Sequence, residues 1–186
     1  AGRTERGTQA VASHTGSLAG ADRIYDAAFK QAGVIRAYNV EEMFDWARAF
    51  ALQPLPGGER TVIITNGGGV GVMATDAAEL NNVPLITPSP ELVSEFRKAM
   101  PWFGSPRNTV DLTGQAGVEN YVKALETAFN SSEVDNIILL YCRTAILDPR
   151  ELAKAVIEVY EKHRDKGKPI LASFVGGTDT YEAMRM

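Results

Sequence analysis

The chain has 186 residues, 45% of them hydrophobic and 23% charged, a composition typical of a soluble globular protein. Its formal net charge of −4 and isoelectric point of about 5.3 leave no basic surface for nucleic-acid phosphates, so we expect no nucleic-acid partner. The longest apolar runs, such as residues 137–142, are far shorter than the roughly 20 residues of a membrane helix, and no secretory signal pattern opens the chain. We therefore expect a cytoplasmic protein without a membrane partner.

The first elements are a loop and a helix. A loop rich in Gly, Ala, Ser and Thr is predicted from Thr8 to Gly20. A helix is predicted from about Asp22 to Ala32, and Gly33 ends it because glycine accepts the left-handed conformation at helix ends.

A second helix follows a short strand-like run at 34–38. Asn39 and Glu42 form a capping box at its start. Its apolar residues need a sheet to pack on, yet only one short strand accompanies it. Residues 1–51 are therefore predicted to be the C-terminal part of an α/β domain.

Residues 52–60 form the predicted linker, because its prolines and glycines cannot continue a helix. From Thr61 onward, short β-rich runs alternate with amphipathic stretches, which indicates repeated βα units and a parallel sheet. Five strands are predicted, at Thr61–Thr65, Val83–Ile86, Thr109–Leu112, Asn136–Tyr141 and Pro169–Phe174. Residues 61–186 are predicted to be a doubly wound α/β domain whose carboxyl end is cut short.

Capping chemistry marks two of the helices between these strands. Ser89 precedes Pro90 at one start, and Asp148 precedes Pro149 at another. Apolar residues recur at helical spacing, at Val118, Tyr121, Val122, Leu125 and Phe129 and again at Leu152, Val156 and Val159. Each of these helices therefore has one face for the sheet.

The first candidate site is His14, which lies in a run of small residues ahead of a helix. Small residues allow close approach to a ligand, and an imidazole with a pKa of about 6.5 is largely a neutral nucleophile at pH 7. A histidine in such a loop could move between partners. Taken alone, a loop histidine is more often incidental.

The second candidate site is a glycine loop between a strand and a helix. Its backbone N–H groups can converge at the helix amino end, where the unpaired donors and the helix dipole favour an anion. The predicted phosphate-binding residues are Asn66, Gly67, Gly68, Gly69, Val70 and Gly71. A tight turn without a ligand is the simpler alternative.

The same loop also satisfies a dinucleotide-binding pattern, through Gly69, Gly71 and Ala74. That pattern needs an acidic residue at the end of the second strand to hold the ribose. Residues 87–89 are Thr, Pro and Ser, and Glu91 already lies inside the next helix. The sequence therefore favours a phosphate over a dinucleotide.

Three further residues carry weaker signals. Asp111 lies at the carboxyl end of a predicted strand, where it either lines the site or caps a loop. Cys142, the single cysteine, ends an apolar run and is predicted to be a core residue. His163 lies among cationic residues at a helix end and is predicted to be a helix-terminal cation. No metal-binding pattern is found in the sequence.

Two motifs together resemble one enzyme family. The segment S-H-T-G-S-L-A-G, within residues 1–50, and the later T-N-G-G-G-V-G-V-M-A-T-D-A resemble the ADP-forming acetyl-CoA synthetases of archaea and bacteria, relatives of succinyl-CoA synthetase. S-P-R-N-T-V-D-L-T-G and F-V-G-G are similar to the CoA-ligase domain of that family. The resemblance covers essentially the whole chain and implies a flavodoxin-like, succinyl-CoA synthetase-type fold.

The resemblance implies a nucleotide-coupled acid–thiol ligase: acyl-CoA, ADP and phosphate give acid, CoA and ATP. It makes His14 the residue that is phosphorylated, with Ser13, Thr15 and Gly16 lining the site. The glycine loop would open a helix whose amino end faces the phosphohistidine. CoA, ADP or ATP, and Mg²⁺ are the cofactors expected of the complete enzyme, with a carboxylate and phosphate as small-molecule partners.

The family also has parts that this sequence lacks. They are a CoA-binding domain, the strands that precede His14 and an ATP-grasp domain, which is either fused or a β subunit. We therefore expect these as partners, and expect the isolated fragment to be inactive. The apolar faces around Phe29 and Phe44 also favour association with another copy. The non-enzyme alternative is a CoA-binding or regulatory module of a protein acyltransferase fusion.

Overall fold

The computed structural model describes residues 2–15 and 21–186, with the backbone alone at residues 14 and 15. The chain divides into two compact units, Ala1–Arg48 and Ala49–Met186. The helices are α1 (Glu5–Thr15), α2 (Asp22–Ala32), α3 (Val40–Leu52), α4 (Gly68–Leu80), α5 (Pro90–Arg97), α6 (Val118–Asn130), α7 (Pro149–Lys162) and α8 (Thr178–Met184), and a 3₁₀ turn follows α7 at Arg164–Lys166. The strands are β1 (Thr61–Thr65), β2 (Val110–Asp111), β3 (Asn136–Cys142) and β4 (Ile170–Val175). No helix within the described ranges is long and apolar enough to cross a membrane.

The described part of the first unit is helical. The Thr4 hydroxyl accepts a hydrogen bond from the Gly7 N–H at 3.1 Å, which starts α1, and the helix continues to Thr15. The loop predicted from Thr8 is therefore wrong as far as Thr15, and residues 16–20 of that segment lie outside the described residues. Residues 34–38 do not form the expected strand.

The helix ends of this unit confirm the local sequence signals. Gly33 has a φ of 67°, and its N–H donates to the Lys30 carbonyl, which closes α2. The Glu42 N–H donates to Asn39 Oδ1 at 2.8 Å, and Asn39 Nδ2 donates to the Glu42 carboxylate at 2.9 Å. Neither α2 nor α3 contains a fully buried residue, so their apolar side chains, such as Phe44, lie in solvent.

The second unit is built on a parallel sheet with the strand order β2-β1-β3-β4, which confirms the α/β prediction. β1 pairs with β3 along its whole length, from Thr61 opposite Asn136 to Thr65 opposite Leu140. All five β1 side chains are buried, as expected for a central parallel strand. Val62 and Ile64 join the core with α5 to α8, and Ile63 is buried on the opposite face.

One predicted strand is replaced by a single bridge. Residues 83–86 contribute only the bridge between Thr61 and Leu85, so the sheet has four strands among the described residues. Pro84 has no N–H to extend a ladder. Beyond the bridge, Asn108 occupies the edge of β1: its Oδ1 accepts from the Ile63 N–H at 3.0 Å, and its Nδ2 donates to the Thr61 carbonyl at 2.8 Å.

The helices that pack on the sheet begin where capping residues predict. The Ser89 hydroxyl accepts from the Leu92 N–H at 3.1 Å, and Asp148 Oδ1 accepts from the Arg150 N–H at 2.8 Å. The predicted apolar residues Tyr121, Leu125, Phe129, Leu152, Val156 and Val159 are all buried. Complete burial of such a side chain stabilises a fold by about 1.5–3 kcal/mol. Packing against the sheet therefore fixes the positions of α6 and α7.

Candidate functional site

His14 lies in the last turn of α1, and its side chain is outside the described part of the structure. The same holds for the Thr15 side chain and for Gly16. Ser13 is exposed, and its hydroxyl donates to the Ala10 carbonyl at 2.8 Å within the helix. The roles of these four residues thus stay predictions from the sequence.

The glycine loop joins the carboxyl end of β1 to the amino end of α4. The buried Thr65 hydroxyl accepts from the Gly67 N–H at 3.0 Å and lies 3.2 Å from the Gly67 carbonyl. Gly67 is the N-cap, with an extended backbone and no side-chain cap. The side chain of Thr65 therefore holds the turn that precedes the predicted phosphate-binding residues.

Three backbone donors at the start of α4 have no protein acceptor among the described residues. They are the N–H groups of Gly68, Gly69 and Val70, the first three residues of the helix. Gly71 is buried, and its N–H donates to the Gly67 carbonyl at 3.0 Å. Gly68 and Gly69 are exposed, so an anion could reach their N–H groups.

The Asn66 side chain is hydrogen-bonded within the protein. The residue is 2% exposed, and its Nδ2 donates to the Cys142 carbonyl at 3.0 Å. The Cys142 N–H donates in return to Asn66 Oδ1 at 2.7 Å. Burial raises the pKa of the neighbouring Tyr121, while the backbone of Asn66 acts in the opposite direction. The Asn66 side chain therefore points to Cys142, and this contact does not support the predicted phosphate contact.

Cys142 forms the floor of the loop. A Cβ placed on Gly67 would lie 2.6 Å from Cys142 Sγ, so a larger residue there would force the Cys142 side chain to shift. Burial, and secondarily the charge of Asp111, raise the pKa of the Cys142 thiol. Cys142 is only partly buried, so the prediction of a core residue is wrong: the side chain packs at the margin of the core, beneath Gly67.

Asp111 lies beside the amino end of α4. It is opposite Thr65 in the sheet, and a Cβ placed on Gly68 would lie 3.2 Å from Asp111 Oδ2. The other oxygen, Oδ1, accepts from the Thr113 N–H at 2.8 Å. Thr113 has a φ of 73°, a strained conformation for a β-branched residue and one that occurs most often near functional sites. Asp111 thus caps a loop beside the amino end of α4, and its role in lining a site stays a prediction.

His163 lies at the end of α7, as predicted, and its contacts are with residues outside the candidate site. It is 6% exposed, stacks on Phe129 with 5.3 Å between ring centroids, and lies 2.8 Å from the Glu126 carboxylate through Nε2. It is the C-cap of α7 and a buried partner of Glu126. No group of three or more metal-ligating side chains occurs in the described ranges.

Comparisons with known proteins cover both units. Residues 61–186 match the Ligase-CoA domain, and residues 1–50 match the succinyl-CoA ligase-like flavodoxin domain. The chain is 54% identical over its full length to the alpha subunit of acetate–CoA ligase [ADP-forming] I of Pyrococcus furiosus, and 40% identical over 95% of its length to acetate–CoA ligase [ADP-forming] of Methanocaldococcus jannaschii. It spans 40% of the first relative and 25% of the second.

A solved structure shares the fold. The dinucleotide-forming acetyl-coenzyme A synthetase 1 of Ca. Korarchaeum cryptofilum, in complex with phosphate and ADP, superposes with a TM-score of 0.91 at 41% sequence identity. The superposition covers 100% of this chain and 40% of that one.

Proposed function

Since the chain belongs to the Ligase-CoA domain family, we propose that it is part of an ADP-forming acyl-CoA ligase that transfers a phosphoryl group through His14. The observation that carries the proposal is the set of three unpaired N–H groups at Gly68, Gly69 and Val70, at the carboxyl edge of the sheet. They form the anion site that the phosphoryl group needs. Two relatives that match 100% and 95% of this chain are ADP-forming acetate–CoA ligases.

The reaction divides into three balanced transfers. Phosphate displaces CoA from the acyl group and gives an acyl phosphate. The His14 imidazole then attacks the phosphorus, the P–O bond to the carboxylate breaks, and the free acid leaves. ADP attacks the phosphohistidine in turn, which releases His14 and gives ATP. A covalent carrier splits one difficult transfer into two easier ones.

The amino end of α4 would stabilise charge in these steps. N–H groups aimed at a phosphoryl group in a fixed place need no reorganisation during the transfer. A helix terminus contributes on the order of 0.3–2 kcal/mol to the binding of a negative group. Thr65 and Cys142 would maintain the loop in the conformation that exposes these N–H groups.

The remaining chemistry would come from other parts of the complete enzyme. CoA, the nucleotide and Mg²⁺ would bind to a CoA-binding domain and to an ATP-grasp domain or β subunit. The Korarchaeum structure with phosphate and ADP, and the alpha-subunit description of the P. furiosus relative, support this division.

Phosphoenzyme mapping tests the proposal. The complete ligase is incubated with γ-labelled ATP and Mg²⁺, and acid-labile, base-stable phosphate is located by peptide mapping. We expect the label on His14, and its loss together with net synthesis in His14→Ala. His163→Gln is the matched control because His163 is the second of the two histidines in this chain. Undiminished label in His14→Ala would exclude His14 as the carrier.

A further inference from the structure

We propose that Asn66 is a positioning residue, whose carboxamide fixes the amino end of α4 against β3 so that the Gly68, Gly69 and Val70 N–H groups meet the phosphoryl group. The inference rests on the proposed function. It assigns Asn66 a task different from direct phosphate contact, the role that the sequence predicted for it.

The hydrogen bonds of Asn66 continue the sheet beyond its backbone ladder. Pairing between β1 and β3 ends at Thr65 opposite Leu140. Asn66 is the next residue, and its side chain bonds both the N–H and the carbonyl of Cys142, at 2.7 and 3.0 Å. Cys142 itself is paired with Val175 of β4. Because Asn66 donates one bond to Cys142 and accepts the other, the two bonds fix both the orientation of the Asn66 side chain and its distance from β3.

The loop needs such a tie because its own residues provide little restraint. Gly67, Gly68 and Gly69 follow Asn66 directly, and glycine has more backbone freedom than any other residue. The helix has no side-chain cap at Gly67. The Asn66 carboxamide and the Thr65 hydroxyl are therefore the side-chain groups that hold the turn.

A ligand role for the Asn66 side chain conflicts with its surroundings. The residue is 2% exposed, and each end of its carboxamide already has a partner. Electrostatic stabilisation depends on where the donors lie, and a displacement of about 1 Å can reduce a rate on the order of 100-fold. Loss of the tie should thus affect phosphoryl transfer beyond its effect on stability.

Asn108 provides the matched control. It is also an asparagine whose carboxamide bonds backbone groups of the sheet, and its partners are the Ile63 N–H and the carbonyls of Thr61 and Ile86. None of these partners is Cys142. Asn108→Ala therefore removes three hydrogen bonds and leaves the two bonds between Asn66 and Cys142 in place.

The experiment compares Asn66→Ala and Asn108→Ala in the complete ligase. Thermal unfolding, kcat, KM for phosphate and the rate of His14 phosphorylation are measured for each, and Asn66→Ser replaces Asn66→Ala if the alanine variant does not fold. We expect similar losses of thermal stability. We also expect about a tenfold or greater loss in kcat/KM for phosphate with the Asn66 variant alone.

Two outcomes overturn the proposal in different ways. If the two variants lower kcat/KM for phosphate equally, Asn66 is a structural residue only. The proposed function still holds in that case, provided that the wild-type enzyme is phosphorylated on His14. A wild-type enzyme without phosphate on His14 would remove the proposed function and this inference with it.

Discussion

At the residue scale, the two carboxylate oxygens of Asp111 have different surroundings. Oδ1 accepts from the Thr113 N–H, and Oδ2 lies next to Gly68, where the proposed anion binds. Two unit charges 4 Å apart interact by about 1 kcal/mol in water and about 4 kcal/mol at an effective dielectric constant of 20. An ionised Asp111 should therefore weaken phosphate binding.

Asp111→Asn is predicted to bind inorganic phosphate about fivefold or more tightly, since it removes about 1 kcal/mol or more of repulsion. The amide oxygen can still accept from the Thr113 N–H, so the loop should keep its conformation. Phosphate titration followed by the NMR shifts of the Gly68 to Val70 amides measures the change. The gain should shrink at high salt because salt screens the repulsion. Unchanged or weaker binding would show that Asp111 does not face the anion.

Gly69→Ala is predicted to weaken phosphate binding while thermal stability stays equal or rises. A Cβ on Gly69 meets nothing within 4 Å, and its φ is not positive, so alanine fits the helix. The methyl group would extend into the space that the anion needs. Gly67→Ala is the control, because its Cβ would overlap Cys142 Sγ and cost about 1–3 kcal/mol of stability. Equal phosphate affinity in Gly69→Ala and wild type would count against the site.

Sequence signals located residues of the site better than they defined their roles. The glycine pattern identifies the loop, because a run of glycines after a β-rich segment and before a helical segment is typical of a strand-to-helix turn. It did not separate Asn66, which bonds Cys142 across the sheet, from the residues with free N–H groups. That distinction depends on a contact between residues 76 positions apart, which no local pattern contains.

At the element scale, Glu126 of α6 joins the end of α7. Its carboxylate accepts from Lys162 Nζ at 2.6 Å and pairs with His163 Nε2 at 2.8 Å. The hydrogen bond from Lys162, followed by that from His163, holds the pKa of Glu126 below its ordinary value of 4.5. A lowered folded-state pKa stabilises the fold above pH 4.5, and this contribution is lost as the pH falls through the lowered pKa.

Glu126→Gln is therefore predicted to flatten the acid limb of the stability curve. The free energy of unfolding of wild type should fall more steeply than that of the variant as the pH drops below about 4.5. Urea unfolding from pH 3 to pH 7 measures both. Glu95→Gln is the control, since the exposed Glu95–Lys98 pair should contribute only about 0–1 kcal/mol. Parallel curves for wild type and Glu126→Gln would contradict the prediction.

The sequence predicted helix ends correctly where nearby residues determine them, and it was less accurate where distant contacts contribute. Gly33, Ser89 and Asp148 determine helix ends through bonds to residues within five positions. The missing strand at 83–86 has a local cause in Pro84, which lacks an N–H, and a distant cause in Asn108, which occupies the side of β1 that a longer strand would need. Residues 8–15 are predicted as a loop from their Gly, Ala, Ser and Thr content, but alanine is the strongest helix former and Thr4 caps the start of α1.

At the scale of the whole molecule, the isolated chain is predicted to have no ligase turnover. A groove of about 460 Å³ between α5 and α6 is lined by Glu91, Glu95, Glu126 and Glu133, so its charge disfavours a nucleotide or CoA. The purified chain is assayed with acetyl-CoA, phosphate, ADP and Mg²⁺. Addition of the ATP-grasp and CoA-binding parts should restore activity. Turnover by the chain alone would contradict the prediction.

The side chain of Asn108 also lets one amide proton of β1 exchange without opening of the pairing between β1 and β3. The Ile63 amide proton is bonded to Asn108 Oδ1, whereas β1 pairs with β3 through backbone groups along its length. In deuterated water, the Ile63 proton can exchange when one side chain turns away, and the ladder to β3 need not open. Amide protons of this one buried strand should therefore exchange by two routes. The Ile63 proton needs only a rotamer change of Asn108, whereas the protons bonded to β3 need a larger unfolding event.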